Sequence, residues 1–580
     1  MKSLFLTWEW NSNVWKLIAI SLIFFMQAGF AMCEAGFTRS KNTGNITMKN
    51  LMDFCLGTIT FILIGGPILC AENAIFGGLF GDFWNVYGDI FGDPGNFDWT
   101  NFIFNLVFCA TTATIVSGAM AERTNFKAYC IYSLIISAFV YPVEAFWVWG
   151  NGGWLNNASK FLHVDFIDLS GSAAIHMVGG LTALIGAYIL GPRIGKYVKK
   201  PDGTIEIKAI PGHNVLIGAL GVFILWFGWY GFNAAGCTSD SGYGGMGQVF
   251  MTTTISASIS TVVVMMITWI KNGKPDVSMT LNGSLAGLVA ITAGCNRVSL
   301  LGSLIIGIVA GILLCFGVEF IDKVLHIDDP VGACSVHFLN GLWGTLACGL
   351  FSYDTGLFYG HGFWQLLVQF IGVLAICAWT SIWAFTMFFI MKMIKRKDGT
   401  PFLRATYEEE IKGLDITEHG LISAYADFQS IPDSSYYEEA LGDIPVSKSI
   451  EIVDKHIEKN TSSLTKIEIV CRQRALEGLK TAMENIGITG MTVTNVMGCG
   501  MQKGQTEYYR GIPVEVNLLP KIKVDIVVSK IPVKKVVETA KRVLYTGHIG
   551  DGKIFIYDVL NVIKVRTGEE GYDALQDNEI

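Results

Sequence analysis

The sequence predicts an all-α membrane domain of eleven transmembrane helices, built as an inverted five-helix repeat, followed by an α+β domain of ferredoxin-like βαββαβ order. Three observations predict it. The 580 residues are 51% hydrophobic and only 16% charged, where soluble domains carry about 25% charged residues. That average is composite. Residues 1–397 hold 21 Lys+Arg and 21 Asp+Glu, whereas residues 398–580 hold 21 and 28, so the net −7 resides in the C-terminal part. Finally, a short pattern recurs at an offset of 161 residues. Together these exclude a plain soluble enzyme, a disordered chain and a nucleic-acid binder.

A spanning helix needs about 20 mostly apolar residues. Eleven stretches qualify, centred near Ile23, Ile62, Thr111, Ile136, Leu181, Leu225, Ser260, Leu288, Ile308, Gly341 and Ala378, the eighth being short. Leu17–Met32 lacks a strongly basic leader and a small-residue cleavage site, and reads as a span rather than a secretory signal. Eleven of the 13 cysteines lie in this part without a C-x-x-C pair. They read as buried thiols rather than disulfides or metal ligands.

The loops orient the spans. Cytoplasmic loops concentrate Lys and Arg. One set of loops plus the tail carries 18 such residues, among them Arg39, Arg123, Arg193, Lys196 and Arg404; the other set carries four, Lys2, Lys16, Lys160 and Arg297. The N-terminus is expected outside and the C-terminus inside.

In the repeat, Asp168–His176 (DLSGSAAIH) overlies Asp329–His337 (DPVGACSVH), with Gly171 on Gly332 and Gly180 on Gly341. One copy enters from outside on the fifth span and the other from inside on the tenth. Opposed repeats place a transport path at their interface. His176 and His337 then sit mid-span at matched positions, and an ionisable group inside a bilayer is a functional candidate. Facing imidazoles share a proton and offer a polar track in an apolar tube. Phe104, Phe108, Trp147, Trp149, Trp226, Trp229 and Phe232 lie near the outer ends of spans. They read either as an interfacial belt or as a cradle for a small cation.

The segments Phe24–Phe37, Ala121–Arg123, Trp147–Gly150, Asp168–His176, Gly231–Ala234 and Asp328–His337, with the tail Gly413–Tyr425, resemble the ammonium transporter family. The resemblance implies a homotrimer in the cell (inner) membrane, one pore per subunit. It implies ammonium recruitment at Trp149 and Phe108 with Asp168 orienting that side, a gate of Phe108 on Phe232, and pore histidines His176 and His337. Two residues depart. Gly236 stands where the family usually has a serine, with Thr238 or Ser239 as substitutes, and Glu144 is a carboxylate inside the fourth span.

Residues 398–462 read as a polar connector and 463–580 as a second domain. Strands are expected at Leu464–Cys471, Met491–Gly498, Lys521–Ser529 and Lys553–Val565, and helices at Gln473–Ile486 and Val533–Tyr545. Two Gly-rich stretches, 498–504 with Lys503 and 547–553 ending in Lys553, suit anions. Ile488–Thr494, Gln502–Gly511, Leu519–Lys521, Thr546–Phe555 and Arg566–Glu569 are similar to the PII signal-transduction family. That implies an adenine nucleotide (ATP, ADP or another) held by Gly490, Thr492, Gly498, Gln502, Gly550, Gly552, Lys553, Lys564 and Arg566. It implies 2-oxoglutarate beside Mg2+ at Gln502 and Lys521, and a pore-plugging loop carrying Arg510. Val514 replaces the tyrosine that some relatives modify, and Met501 and Lys564 replace arginines, which weakens a forked grip on phosphates. The expected function is ammonium transport regulated by the fused domain. The alternative is an ammonium sensor that relays to soluble nitrogen-regulation proteins. No obligatory cofactor, metal site or enzymatic centre is expected.

Overall fold

The structure, a computed structural model, describes residues 2–92, 97–237, 244–421, 464–472, 475–488, 490–498, 507–509, 512–514, 519–545 and 551–575. The chain divides into two compact units. The first contains α1 (Lys2–Phe37), α2 (Ser40–Leu69), α3 (Trp99–Ala119), α4 (Phe126–Trp149), α5 (Ser172–Leu190), α6 (Val215–Ala234), α7 (Met246–Asn272), α8 (Val277–Ile291), α9 (Leu300–Val324), α10 (334–351) and α11 (Trp364–Met393). Among the described residues, nine helices are long and apolar enough to cross a membrane; α8 is a shorter apolar helix. Each of the eleven predicted centres falls on one of these helices.

Local chemistry sets their limits. Asp98, Asn214, Asp276 and Ser299 each cap a helix by accepting from a backbone N–H three residues on, which satisfies a donor the helix itself leaves orphaned. Gly273, at φ +74°, ends α7 in the left-handed conformation that glycine adopts without penalty.

Helices α5 and α10 are built alike. The Asp168 carboxylate accepts from the amides of Gly171, Ser172, Ala173 and Ala174 at 2.8–3.0 Å. Asp329 accepts from Val331, Gly332 and Cys334 at 2.8–3.2 Å. Gly171 (φ +94°) and Gly332 (φ +84°) turn the chain. Each helix then opens on a π-turn, Ser172–Met177 and Cys334–Leu339. The two cross on glycine. A methyl group on Gly180 would lie 2.3 Å from the Phe338 amide nitrogen, and one on Gly341 would lie 2.4 Å from the Ser172 carbonyl. Small residues permit such backbone approach between helices.

The tail belongs to this unit, so the predicted boundary at residue 397 comes too early. α12 (Tyr407–Lys412) opens on a Thr406/Glu409 capping box and is followed by α13 (Leu414–His419). Asp415 accepts from the amides of Gly44 and Asn45, Glu418 accepts from that of Phe126, and Lys41 donates to the Glu410 carbonyl. Helix propensity and capping chemistry at this site go unread if the segment is taken as a connector on polarity alone.

A buried ion network lies at the same end. Arg193 binds Asp328 through Nε and Nη2 at 2.8 and 2.9 Å and Glu122 through Nη1 at 2.7 Å; Arg39 also pairs with Glu122. Burial alone would push up the carboxyls of Glu122 and Asp328. The Arg193 guanidinium, helped by Arg39 and Arg123 respectively, outweighs it and holds both below the usual carboxylate range.

The second unit carries a four-stranded antiparallel sheet. β1 (Leu464–Arg472), α14 (Leu476–Glu484), β2 (Thr492–Gly498), the ribbon strands β3 (Glu507–Tyr509) and β4 (Ile512–Val514), β5 (Leu519–Val528), α15 (Val533–Leu544) and β6 (Lys553–Val559) follow in order. The sheet runs β6-β1-β5-β2. From Thr465 onward β1 alternates in burial, and Ile467, Ile469 and Cys471 pack with Leu479, Met483, Val536 and Ala540. β6 stops at Val559, six residues short of the predicted strand. The expected excursion after β2 contains the short ribbon β3-β4.

Removing Arg193 strands two buried carboxylates, which costs about 3–5 kcal/mol. Arg193→Leu should therefore lower the detergent-solubilised Tm by several degrees, whereas Lys200→Leu, at an exposed pair, should leave it unchanged. Both carboxyls are held low in the fold. The network's contribution is therefore full at neutral pH and is lost as pH falls below about 4, the free carboxyl value, and through the folded values. The stability gap between wild type and Arg193→Leu should therefore be widest near neutral pH and should narrow in acid, as read by circular dichroism melts against pH.

Candidate functional site

The crossing of α5 and α10 brings His176 and His337 face to face. Their Nδ1 atoms are 3.3 Å apart, and the rings are nearly parallel with centroids at 5.3 Å. In such a contact one nitrogen donates and the other accepts, so the two rings share one proton there. Both rings are buried. Among the described residues, the buried Nε2 of His176 has no hydrogen-bond partner.

Aromatic rings continue the line. Trp229 stacks on His176 at 5.0 Å, held by its Nε1–H donating to Thr292 Oγ1 at 2.9 Å. Phe232, three residues after Trp229 on the same face of α6, lies 5.5 Å from His176 and 4.5 Å from Phe108. Phe108 meets Trp149 at 5.9 Å and Phe104 at 4.3 Å. On the other side of the pair, Phe30 of α1 lies 6.3 Å from His337. The sequence-predicted residues Trp149, Phe108, Phe232, His176 and His337 thus form one file from the C-terminal end of α4, at Trp149, to the crossing of α5 and α10.

Asp168 faces inward on its four amides. Its backbone carbonyl accepts from Trp149 Nε1 at 2.7 Å, so it fixes that indole through the main chain. Gly236 lies two residues past the end of α6, and among the described residues only Leu169 comes near the place a side chain would take, while Thr238 and Ser239 lie outside the described residues. Glu144 is fully buried, and neither carboxylate oxygen has a hydrogen-bond partner. Sequence reasoning missed Thr292 as the anchor of Trp229 and Phe30 as the inner neighbour of His337. Neither side chain carries a signal of its own in one sequence.

The family model described as Ammonium Transporter Family matches residues 14–424. The chain belongs to the ammonium transporter family. Residues 464–569 match Nitrogen regulatory protein P-II, so this transporter carries a P-II domain. Ammonium transporter Amt2 of Archaeoglobus fulgidus is 42% identical over 433 residues, covering 72% of this chain and 88% of that protein. Ammonium transporter Amt1 of Haloferax mediterranei is 37% identical over 442 residues, with 72% and 80% covered. A solved structure described as Sensor Amt Protein aligns with a TM-score of 0.63 at 34% identity over 70% of this chain and 98% of that one. Candida albicans Mep2 aligns at 0.59 and 25% identity over 69% and 87%. The Archaeoglobus and Haloferax relatives are transporters by name, and the family is not one of enzymes.

In the P-II domain, Gly498 ends β2 opposite Leu519, and a methyl group there would meet the Lys521 side chain at 3.0 Å. Gly552, at φ +124°, would drive a side chain to 2.3 Å from the Val470 carbonyl, so glycine is required. Lys553 opens β6, paired with Val470, and is exposed like Arg566, Gly490 and Thr492. Lys564 pairs with Glu569 at 3.8 Å. Thr492 and Gly498 lie at opposite ends of β2, about 20 Å apart, so they contribute to different places on one subunit. Gln502, Arg510 and Gly550 lie outside the described residues.

Asp168→Ala removes the acceptor of four buried amides, at a cost of about 3 kcal/mol or more. The transporter unit should lose several degrees of Tm, and Asp168→Asn, which keeps one carbonyl oxygen, should lose less.

Proposed function

We propose that the chain moves ammonium across the cell (inner) membrane through eleven spans, as a homotrimer with one pore per subunit. The N-terminus is outside and the P-II domain cytoplasmic. The observation that carries this reading is the buried His176–His337 contact at the end of a closed aromatic file. Ammonium settles as a cation against Trp149 and Phe108. A full charge cannot follow cheaply. Carrying an ion into an apolar tube costs far more than carrying neutral ammonia, and Phe108 against Phe232 excludes the water that would pay for hydration. Ammonium gives its proton to the free ring nitrogen of His176, and ammonia passes His337 toward the inner mouth. Asp168 serves by holding Trp149 and the start of α5 in place.

The P-II domain senses adenine nucleotide, ATP or ADP, with Mg2+ and 2-oxoglutarate as further ligands. The described residues fit an anion. Two exposed cations, Lys553 and Arg566, accompany a glycine whose backbone is open on one side, and Lys521 lies over Gly498 as a point charge for a carboxylate. Bound nucleotide and 2-oxoglutarate withdraw the loop carrying Arg510 from the pore; without them it closes the inner mouth. A second reading, an ammonium sensor that recruits soluble nitrogen-regulation proteins, is favoured by the likeness to the structure described as Sensor Amt Protein.

Two measurements test this. In proteoliposomes on a solid-supported membrane, ammonium pulses should give currents that fall about tenfold or more in His176→Ala. Arg510→Ala should conduct under every nucleotide condition; if it follows wild type throughout, the loop is not a plug. By calorimetry, Lys553→Ala with Arg566→Ala should weaken ATP and ADP binding about tenfold or more, and unchanged affinity would remove these residues from the site.

A further inference from the structure

Beside the histidine pair the transporter unit holds a small cavity of about 30 Å³, and His337 and Glu34 both line it, with Phe30, Cys33, Gly118 and Asn282. Glu34 reaches that wall by helix geometry. Phe30, whose ring packs against His337, lies four residues before Glu34 on α1, so the two share a face one turn apart. The carboxylate is buried yet supported. Ser117 Oγ and Asn50 Nδ2 donate to it at 2.8 and 3.3 Å, both to Oε2. Behind it a buried polar seam continues between α2, α3 and α4. Asp53 accepts from Thr114 and Ser133, and Lys49 donates to the Thr124 carbonyl at 3.0 Å. An ionisable group at this depth is costly unless used.

We propose that Glu34 is the group that receives the proton leaving His337, giving it a route apart from ammonia. The proposal rests on the transport reading above. An N–H bond of ammonium breaks and its proton joins a ring nitrogen of His176, while ammonia continues along the lumen. The shared proton leaves His337, crosses water in the cavity and bonds to a Glu34 oxygen. Glu34 releases it to water at the inner mouth, where ammonia regains a proton. One positive charge crosses per ammonia, and nothing is oxidised or reduced. A cavity of this kind, with an imidazole, a carboxylate and an amide on its wall, offers a water enough polar partners to reside there.

The test uses the full chain in proteoliposomes, with MgATP and 2-oxoglutarate present throughout. Ammonium-pulse currents are recorded beside an enclosed pH dye, on wild type, Glu34→Gln and Glu34→Asp. If Glu34 carries the proton, Glu34→Gln loses current about tenfold or more and the interior turns alkaline, because ammonia enters alone. Glu34→Asp keeps the current. Three results overturn the proposal: wild-type current in Glu34→Gln; loss of both current and pH response in both variants, which marks a structural brace; or a wild type that alkalinises without current. The last leaves transport standing. A wild type giving neither signal overturns the transport reading itself.

Discussion

The approach of two backbones at Gly180 and Gly341 is the constraint on which the site depends. Each glycine rests on the main chain of the opposite broken helix. Only that closeness allows rings from two different helices to meet through Nδ1 at 3.3 Å. The rest of the device follows. A capping aspartate ties down the first amides, a left-handed glycine turns the chain, and a π-turn sets the histidine's direction before the α-helix resumes. π-turns within helices often mark functional positions because they re-aim side chains and loosen the regular ladder.

Charge is kept apart from this centre. Asp328 and Asp329 are neighbours in sequence with different partners: one takes Arg193, the other the amides that start α10. The ion network is therefore covalently next to the helix that carries His337. It fixes where that helix begins without placing an ion pair beside the ring. Arg404 and Glu410 of the tail extend the same network, so residues that look like connector in sequence brace the inner end of the transporter unit.

The parts of the architecture that depend on a pattern are legible in the sequence. Apolar runs give the helices, the matched Asp–Gly–His–Gly segments give the pairing of His176 with His337, and alternation gives β1 and β5. Phe108 and Phe232 are legible only through resemblance, since nothing in one sequence says which of many aromatic residues share a line. Other features escape. The two tail helices are set by a capping box and by the Asp415 carboxylate reaching the first turns of α2 some 370 residues away in sequence, a non-local cause. Thr292 and Phe30 act through tertiary contact, and a threonine or phenylalanine in an apolar helix looks like any other. Glu34 stands within a family motif, yet its place on a cavity wall comes only from the packing of five helices.

The two copies of the repeat agree in backbone and differ in surroundings, and that difference gives the pair a direction. On one side, His176 lies under Trp229, almost parallel to it, with Phe232 beyond. These faces are apolar and electron-rich, suited to strip a cation of water as it arrives. On the other side, His337 meets one more distant ring and a cavity wall bearing a carboxylate. A symmetric pair in a symmetric shell would have no preferred sense for handing on a proton. Here pseudo-symmetry builds the contact, while the shells around its two rings are unequal, aromatic on one side and open to a carboxylate-lined cavity on the other.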